Sequence, residues 1–251
     1  IKTGAGVLEL TGNNTYNGYT QISGGALRAQ NGVGLPANST LRFSGGVLES
    51  TGTFTRSLIA ALAPTLNRVF WDATQGGGFS AYGGPLTVSL GGMATPTSLV
   101  RGSGGFQSPL ILGSFAANNM VDFVNPIDFG AAGTVGGLTT TLGSSAVTVS
   151  SSTGLVTGMP VTGPGIPAGA IITNIAGNTL TLSAAATAAG TGQTLSFGQV
   201  MVFQSDAIDM ANALNRLSGS LTGTGVLQKT GVGLIELTGA NNDAATTEIL
   251  G

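Results

Sequence analysis

Two stretches at opposite ends of the chain read as copies of one another, and this limits the fold more than any other feature. KTGAGVLELTGNNTYNGYTQISG (Lys2 to Gly24) aligns without gaps on KTGVGLIELTGANNDAATTEILG (Lys229 to Gly251), with twelve of 23 positions identical. The identities include Gly4/Gly231, Gly6/Gly233, Glu9/Glu236, Leu10/Leu237 and Gly12/Gly239. The Lys, Glu and Asn matches do not follow from a Gly/Thr-rich composition. A repeated short unit points to stacked supersecondary units, each burying its apolar face against the next.

The local pattern says what the unit is. Leu8-Glu9-Leu10, Leu27-Arg28-Ala29, Leu41-Arg42-Phe43, Val121-Asp122-Phe123, Ile127-Asp128-Phe129 and Ile235-Glu236-Leu237 each set one charge between two apolar residues. On an extended chain successive side chains point to opposite faces, so the apolar pair turns inward and the charge outward. These blocks end at Gly12, Gly24-Gly25, Gly45-Gly46, Gly52, Gly91-Gly92 and Gly113, which read as corners. The pattern predicts an all-β fold of very short strands. Thr55–Leu62 and Asp206–Leu217 could be helical, but both lack a core stripe and are read as strand and turn.

Composition excludes several classes. Only 7% of the 251 residues are charged, while 41% are hydrophobic in short blocks, which argues against disorder. Forty-three glycines fit frequent tight corners. No run of about 18 apolar residues marks a transmembrane helix. Net charge is −2 and the eight Lys and Arg are scattered from Lys2 to Lys229, so there is no stripe to neutralise phosphates. Cysteine is absent. The start at Ile1, with no Met, signal peptide or tag, predicts an internal piece, a processed product or the ordered part of something longer.

From Phe129 to Ser205 there are 77 residues without a charge. Within them 143–197 changes texture, with strand cores at Val147/Val149, Ile171/Ile172, Leu180/Leu182 and Leu195/Phe197 between Pro/Gly turns. The expected organisation is a β-solenoid over 1–142, an inserted small β-sandwich-like domain over 143–197, and resumption of the solenoid over 198–251. At about 20–25 residues per coil, the solenoid would hold about eight to ten coils. Uncharged strand edges in the long neutral stretch predict lateral packing, weakened by Lys at Thr148 and Thr181.

Catalytic chemistry is sparse. With neither His nor Cys, imidazole bases, thiol nucleophiles and the usual zinc ligands are missing. Asp122 with Asp128, and Asp206 with Asp209, are the close carboxylate pairs that a glycosidase reading would use. The alternative, outward strand residues in water, is favoured. Tyr16, Tyr19, Phe79, Tyr82 and Trp71 could line a sugar-binding face or fill corners and core. Asn13, Asn14, Asn17, Asn118, Asn119, Asn241 and Asn242 cluster near turns and suggest hydrogen-bonded stacking from coil to coil. No calcium loop and no phosphate-binding glycine loop is present. No catalytic, cofactor-binding or metal residues are therefore assigned, no cofactor is expected, and the chain is read as a non-enzyme.

KTGAGVLELTGNNTYNGYTQISGGAL and KTGVGLIELTGANN resemble the autotransporter-associated β-strand repeat of bacterial autotransporter passengers and giant surface proteins. GGGFSAYGGPLTVSLGG, continuing through PLILGS to VDFVNPIDF, resembles the segment that follows such repeats. Together these cover about 1–130 and 198–251. TGLVTGMPVTGPGIPAGAIITNIAGNTLTLS is similar to a small module found in phage tail and bacterial surface proteins. The resemblance implies a right-handed parallel β-helix, an extracellular location and a scaffolding or adhesive role. Self-assembly, head to tail or lateral, is the expected partnership. An adhesin binding surface glycans is the alternative, and a polysaccharide-degrading enzyme comes third.

Overall fold

A computed structural model describes residues 1–60, 67–72, 75–101, 106, 109–131, 133–209, 211–241 and 246–249. All regular structure among them is β-strand. The chain opens with β1 (Val7–Leu10), β2 (Thr20–Ile22), β3 (Ala26–Ala29), β4 (Leu41–Phe43), β5 (Val47–Phe54) and β6 (Ser57–Leu58). Next come β7 (Arg68–Trp71), β8 (Gly77–Val88), β9 (Leu99–Val100), β10 (Leu110–Leu112), β11 (Val121–Phe123) and β12 (Ile127–Asp128). An antiparallel group follows: β13 (Gly133–Thr140), β14 (Ala146–Thr148), β15 (Val161–Thr162), β16 (Ile172–Ala176), β17 (Thr179–Leu182) and β18 (Gly190–Phe197). The last strands are β19 (Gln199–Gln204), β20 (Asn215–Leu217), β21 (Leu221–Thr222), β22 (Gly225–Thr230), β23 (Ile235–Leu237) and β24 (Thr246–Ile249).

Outside the antiparallel group the strands pair in parallel. A first column runs β1-β3-β5-β8-β10-β19-β22-β24, eight strands in chain order. Its rungs are Leu8↔Leu27, Leu27↔Leu48, Leu48↔Phe79 and Phe79↔Leu112, so the chain returns after 19, 21, 31 and 33 residues. These separations bracket the expected 20–25 because long corner segments widen the middle of the stack. The later halves of β5 and β8 bend into a second column continued by β11, β20 and β23. Two shorter parallel stacks, β2-β4-β7-β6 and β9-β12-β21, complete the parallel part.

One apolar core runs up the inside. Ile22, Phe43 and Trp71 stack in register, as do Leu27, Leu48, Phe79 and Leu112, and all are at most 1% exposed. The Phe79 ring meets Phe43 at 5.2 Å, Phe54 at 5.0 Å and Phe123 at 6.3 Å between centroids, so neighbouring rungs interlock. Burying each such side chain contributes about 1.5–3 kcal/mol. No short strand could hold its position alone, so stability comes from stacking.

The stack is tight enough to demand glycine at one rung. A Cβ on Gly78 would lie 1.9 Å from the carbonyl oxygen of Ile111 on the next strand, a backbone atom with little room to yield.

The antiparallel group is a closed sheet. Its order is β15-β18-β13-β14-β17-β16. The two ends are joined by a bridge between Pro160 and Ile171, with Val161 N donating to Ala170 O (2.9 Å) and Ile172 N to Met159 O (3.0 Å). The six strands thus form one sheet rolled on itself, its two ends meeting at that bridge. Pairing starts at Gly133, ten residues ahead of the boundary at 143, since 133–142 shares the uncharged texture of what precedes it and hides the switch. Leu138, Val147, Ile172, Leu180 and Leu195 fill its interior, and Val200 of β19 joins this cluster from the parallel stack. Thr148 and Thr181 lie on the adjacent strands β14 and β17 of this sheet.

The stretch 55–62 holds β6, with residues 61 and 62 outside the described residues; 206–217 is loop leading into β20, with 210 outside them.

Candidate functional site

The outward charges of the strands line up across rungs. On the first column Glu9, Arg28, Glu49 and Ser80 share one register row. Arg28 Nε donates to Glu49 at 2.7 Å, and the nearer Glu9 carboxylate oxygen stands 3.8 Å from Arg28. Ser80 and Ser114 donate to the same Glu49 oxygen at 3.1 and 2.7 Å. The Arg28 guanidinium lies 3.3 Å from the centroid of the Tyr82 ring. Glu49 is fully buried although its strand position faces outward. Arg28, Ser80 and Ser114 supply the hydrogen bonds a buried carboxylate requires.

A second row repeats the logic on the second column. Asp122, Arg216 and Glu236 are in register, Arg216 Nε donates to Glu236 at 2.9 Å, and Ser218 donates to Asp122 at 2.6 Å. The hydrogen bond from Arg216 to Glu236 raises the guanidinium pKa. A third ion pair, Arg42 to Asp72 at 2.7 Å, lies on the β2-β4-β7 stack. In the first two rows an acid faces an arginine on the adjacent rung, whereas Arg42 faces Phe70 and reaches Asp72 just past the end of β7.

The structure separates Asp122 from Asp128. Asp122 is on the second column, whereas Asp128 lies on β12 in a different sheet and accepts from Gly130 N at 2.8 Å. Asp206 accepts from Gln204 at 2.7 Å, and Asp209 accepts from the side chain of Asn212 at 3.1 Å. Trp71 and Phe79 are core, while Tyr16, Tyr19 and Tyr82 are exposed. Tyr16 bonds the Thr20 hydroxyl at 2.8 Å. Among the asparagines, Asn14 donates to Gly34 O at 3.0 Å and Asn241 accepts from Leu221 N at 3.1 Å, each reaching a neighbouring rung. Asn118 accepts from Gly83 N at 2.8 Å and from Asn119 at 3.2 Å. Asn13 and Asn17 are exposed, and Asn242 lies outside the described residues.

Three buried polar residues carry more than the sequence suggests. Asn125 accepts from Leu90 N and donates to Leu90 O and Thr97 O, all at 2.8 Å. Asn215 donates to Leu112 O and Ser205 Oγ at 3.0 Å. Arg56, 2% exposed, donates to Asn31 Oδ1 at 2.7 Å, Pro36 O at 2.9 Å and Ser39 O. Desolvation lowers its pKa to about 10. The sequence signal for the asparagines is faint, a single amide beside apolar residues; Arg56 has none.

The two repeats share their local chemistry. Lys2 donates to Gly4 O at 2.7 Å and Lys229 donates to Gly231 O, with φ of 76° at Gly4 and 77° at Gly231. Each lysine continues a core row, Lys2 opposite Ile22 and Lys229 opposite Phe203, while its ammonium reaches out to the turn. Residues 1–29 match the family model described as Passenger-associated-transport-repeat.

Over residues 1–29 the chain is similar to that repeat family.

No curated protein and no solved structure matches the chain. The passenger repeat supplies β1, β2 and β3, the first rungs of the stack, and implies a secreted or surface-exposed passenger segment. Its sequence copy at 229–251, of which 242–245 and 250–251 lie outside the described residues, sits one face out of phase. Glu9 of the passenger repeat is on the first column and Glu236 on the second.

Proposed function

We propose that the segment is a non-catalytic, extracellular part of a bacterial surface passenger, a right-handed parallel β-helix that builds a fibre, sheath or surface layer by coil stacking and lateral packing. The observation that carries this reading is the passenger repeat standing as the first rungs of an unbroken eight-strand parallel column. The acids support it: Glu9, Glu49, Asp122 and Glu236 lie on register rows that hold an arginine, a placement that holds rungs together. A cleft gathering carboxylates around a substrate would look different. Negative-stain electron microscopy of the purified chain tests the assembly, with rods or layers expected at rising concentration. A monodisperse monomer at every concentration would defeat it. Sugar cleavage lost on Asp122→Asn would instead revive the enzymatic reading.

One feature favours adhesion as a second reading. A cleft of about 340 Å³ lies where the closed sheet meets the parallel stack, lined by residues including Pro160, Val161, Phe197 and Thr224. Glycan-array binding that disappears when Phe197 is replaced by Ala would support it, and an array without signal would set it aside.

A further inference from the structure

We propose that Asn31–Gly32 is a self-modification site, at which loss of ammonia turns Asn31 into Asp and gives the buried Arg56 a carboxylate counter-ion. Arg56 is 2% exposed, and its acceptors among the described residues are all neutral: Asn31 Oδ1 and the carbonyls of Leu35, Pro36 and Ser39. Two of its nitrogens converge on the one amide oxygen, Nε at 3.0 Å and Nη2 at 2.7 Å. A guanidinium grips a carboxylate with the same donors, and more strongly. Buried charges are ordinarily paired. The guanidinium has already been taken out of water, whereas Asn31 is only half-buried. A carboxylate at position 31 therefore gains the cation while keeping part of its own hydration.

The residue that follows makes the conversion chemically accessible. The backbone nitrogen of Gly32, once it has lost its proton to water or hydroxide, attacks Cγ of Asn31. The new N–Cγ bond forms, the Cγ–Nδ2 bond breaks, and ammonia leaves. Water then opens the imide ring, so the net change is Asn plus water to Asp plus ammonia. No atom beyond the chain neighbours lies within 4 Å of the place a Cβ would take at Gly32, which leaves the ring room to close. Arg56 faces the Asn31 oxygen, where negative charge develops during the attack, as preorganised donors do in acyl transfer.

The turn restrains the reaction and sets its product. Gly32 N donates to Leu35 O at 2.8 Å, and Val33 N and Leu35 N both donate to Gln30 O at 3.1 Å. Attack by the Gly32 nitrogen thus waits on local opening of its bond to Leu35. Imide opening at Cγ restores the peptide path and leaves the carboxylate on Arg56. Opening at the backbone carbonyl gives isoaspartate, whose extra main-chain methylene does not fit the bridge between Asn31 and Leu35.

The chain carries one other Asn-Gly, Asn17–Gly18, and no described arginine donates to that carboxamide. It serves as the reference site. The purified full chain is aged at mildly alkaline pH, and both sites are read by peptide mapping with fragmentation that separates Asp from isoaspartate. Folded chain is expected to give Asp in several-fold excess at Asn31, whereas urea-unfolded chain gives mainly isoaspartate there. An Asn31 still intact when Asn17 is spent, or isoaspartate in the majority at Asn31 of the folded chain, overturns the proposal. Asn31→Asp is expected to raise the urea midpoint of unfolding, and adding Arg56→Gln to abolish that gain. A midpoint that does not rise in Asn31→Asp, or a gain that survives Arg56→Gln, overturns it equally.

Discussion

At the residue scale, two arginine–glutamate pairs of the same chemistry differ in burial, and burial decides what each contributes. Glu49 is fully enclosed and accepts from Arg28, Ser80 and Ser114. Replacing Arg28 with Ala leaves that carboxylate without its cation and is expected to cost about 3–5 kcal/mol. Glu236 and Arg216 are 41% and 34% exposed. Glu236→Ala should therefore cost about 0.2–1 kcal/mol, because water and salt already screen the pair. Urea unfolding of both variants measures the contrast, and equal losses would show that the Glu49 site is wetter than its geometry. Arg56 is a third case: its acceptors are neutral carbonyls, spread over Asn31, Pro36 and Ser39. An ammonium has three donors and no planar fork, so Arg56→Lys is expected to recover only part of the roughly 3 kcal/mol lost in Arg56→Ala.

At the element scale, strands of two to four residues persist because each is held by the rungs on either side. Stability should then grade along the column. All three residues of β10 are buried, whereas three of the four in β1 are exposed. Amides of β1 are expected to exchange with deuterium faster than those of β10 and the first half of β8, by local opening. Uniform protection along the column would contradict stacking as the source of order. Close rung spacing also makes Gly78→Ala disruptive. Its Cβ would sit 1.9 Å from Ile111 O, and about 3 kcal/mol is the expected cost by urea unfolding. Alanine at the exposed Gly12, where the nearest atom is 3.8 Å away, should change little.

At the scale of the whole molecule, the closed sheet over 133–197 interrupts the first column between β10 and β19 without breaking its register. It is fastened by Val200, 5% exposed and packed into the interior cluster of the closed sheet, and by Gly198 N donating to Pro160 O at 2.9 Å. Such a shared apolar contact couples the unfolding of both parts. Val200→Ser is expected to split one calorimetric transition into two, the lower belonging to the closed sheet. A single transition in the variant would mean that the two parts are joined by more than this contact.

Alternation alone made the inside and outside of the strands readable. Arg28, Arg42 and Asp122 face out and their neighbours Leu27, Phe43 and Phe123 face in, because a two-residue period leaves an extended chain no other choice. The end-to-end match likewise revealed stacked repeats before any coordinates. What the sequence could not hold is which strands become neighbours. Arg216 meets Asp122 across 94 residues, Asn215 reaches Leu112 across 103, and Glu49 takes hydrogen bonds from Ser80 and Ser114 of later turns. The face on which each repeat falls was equally hidden, since the length of each return, 19 to 33 residues over the first four, sets the phase. Local periodicity is written in the order of residues; pairing, closure and burial arise only when distant segments compete for the same space.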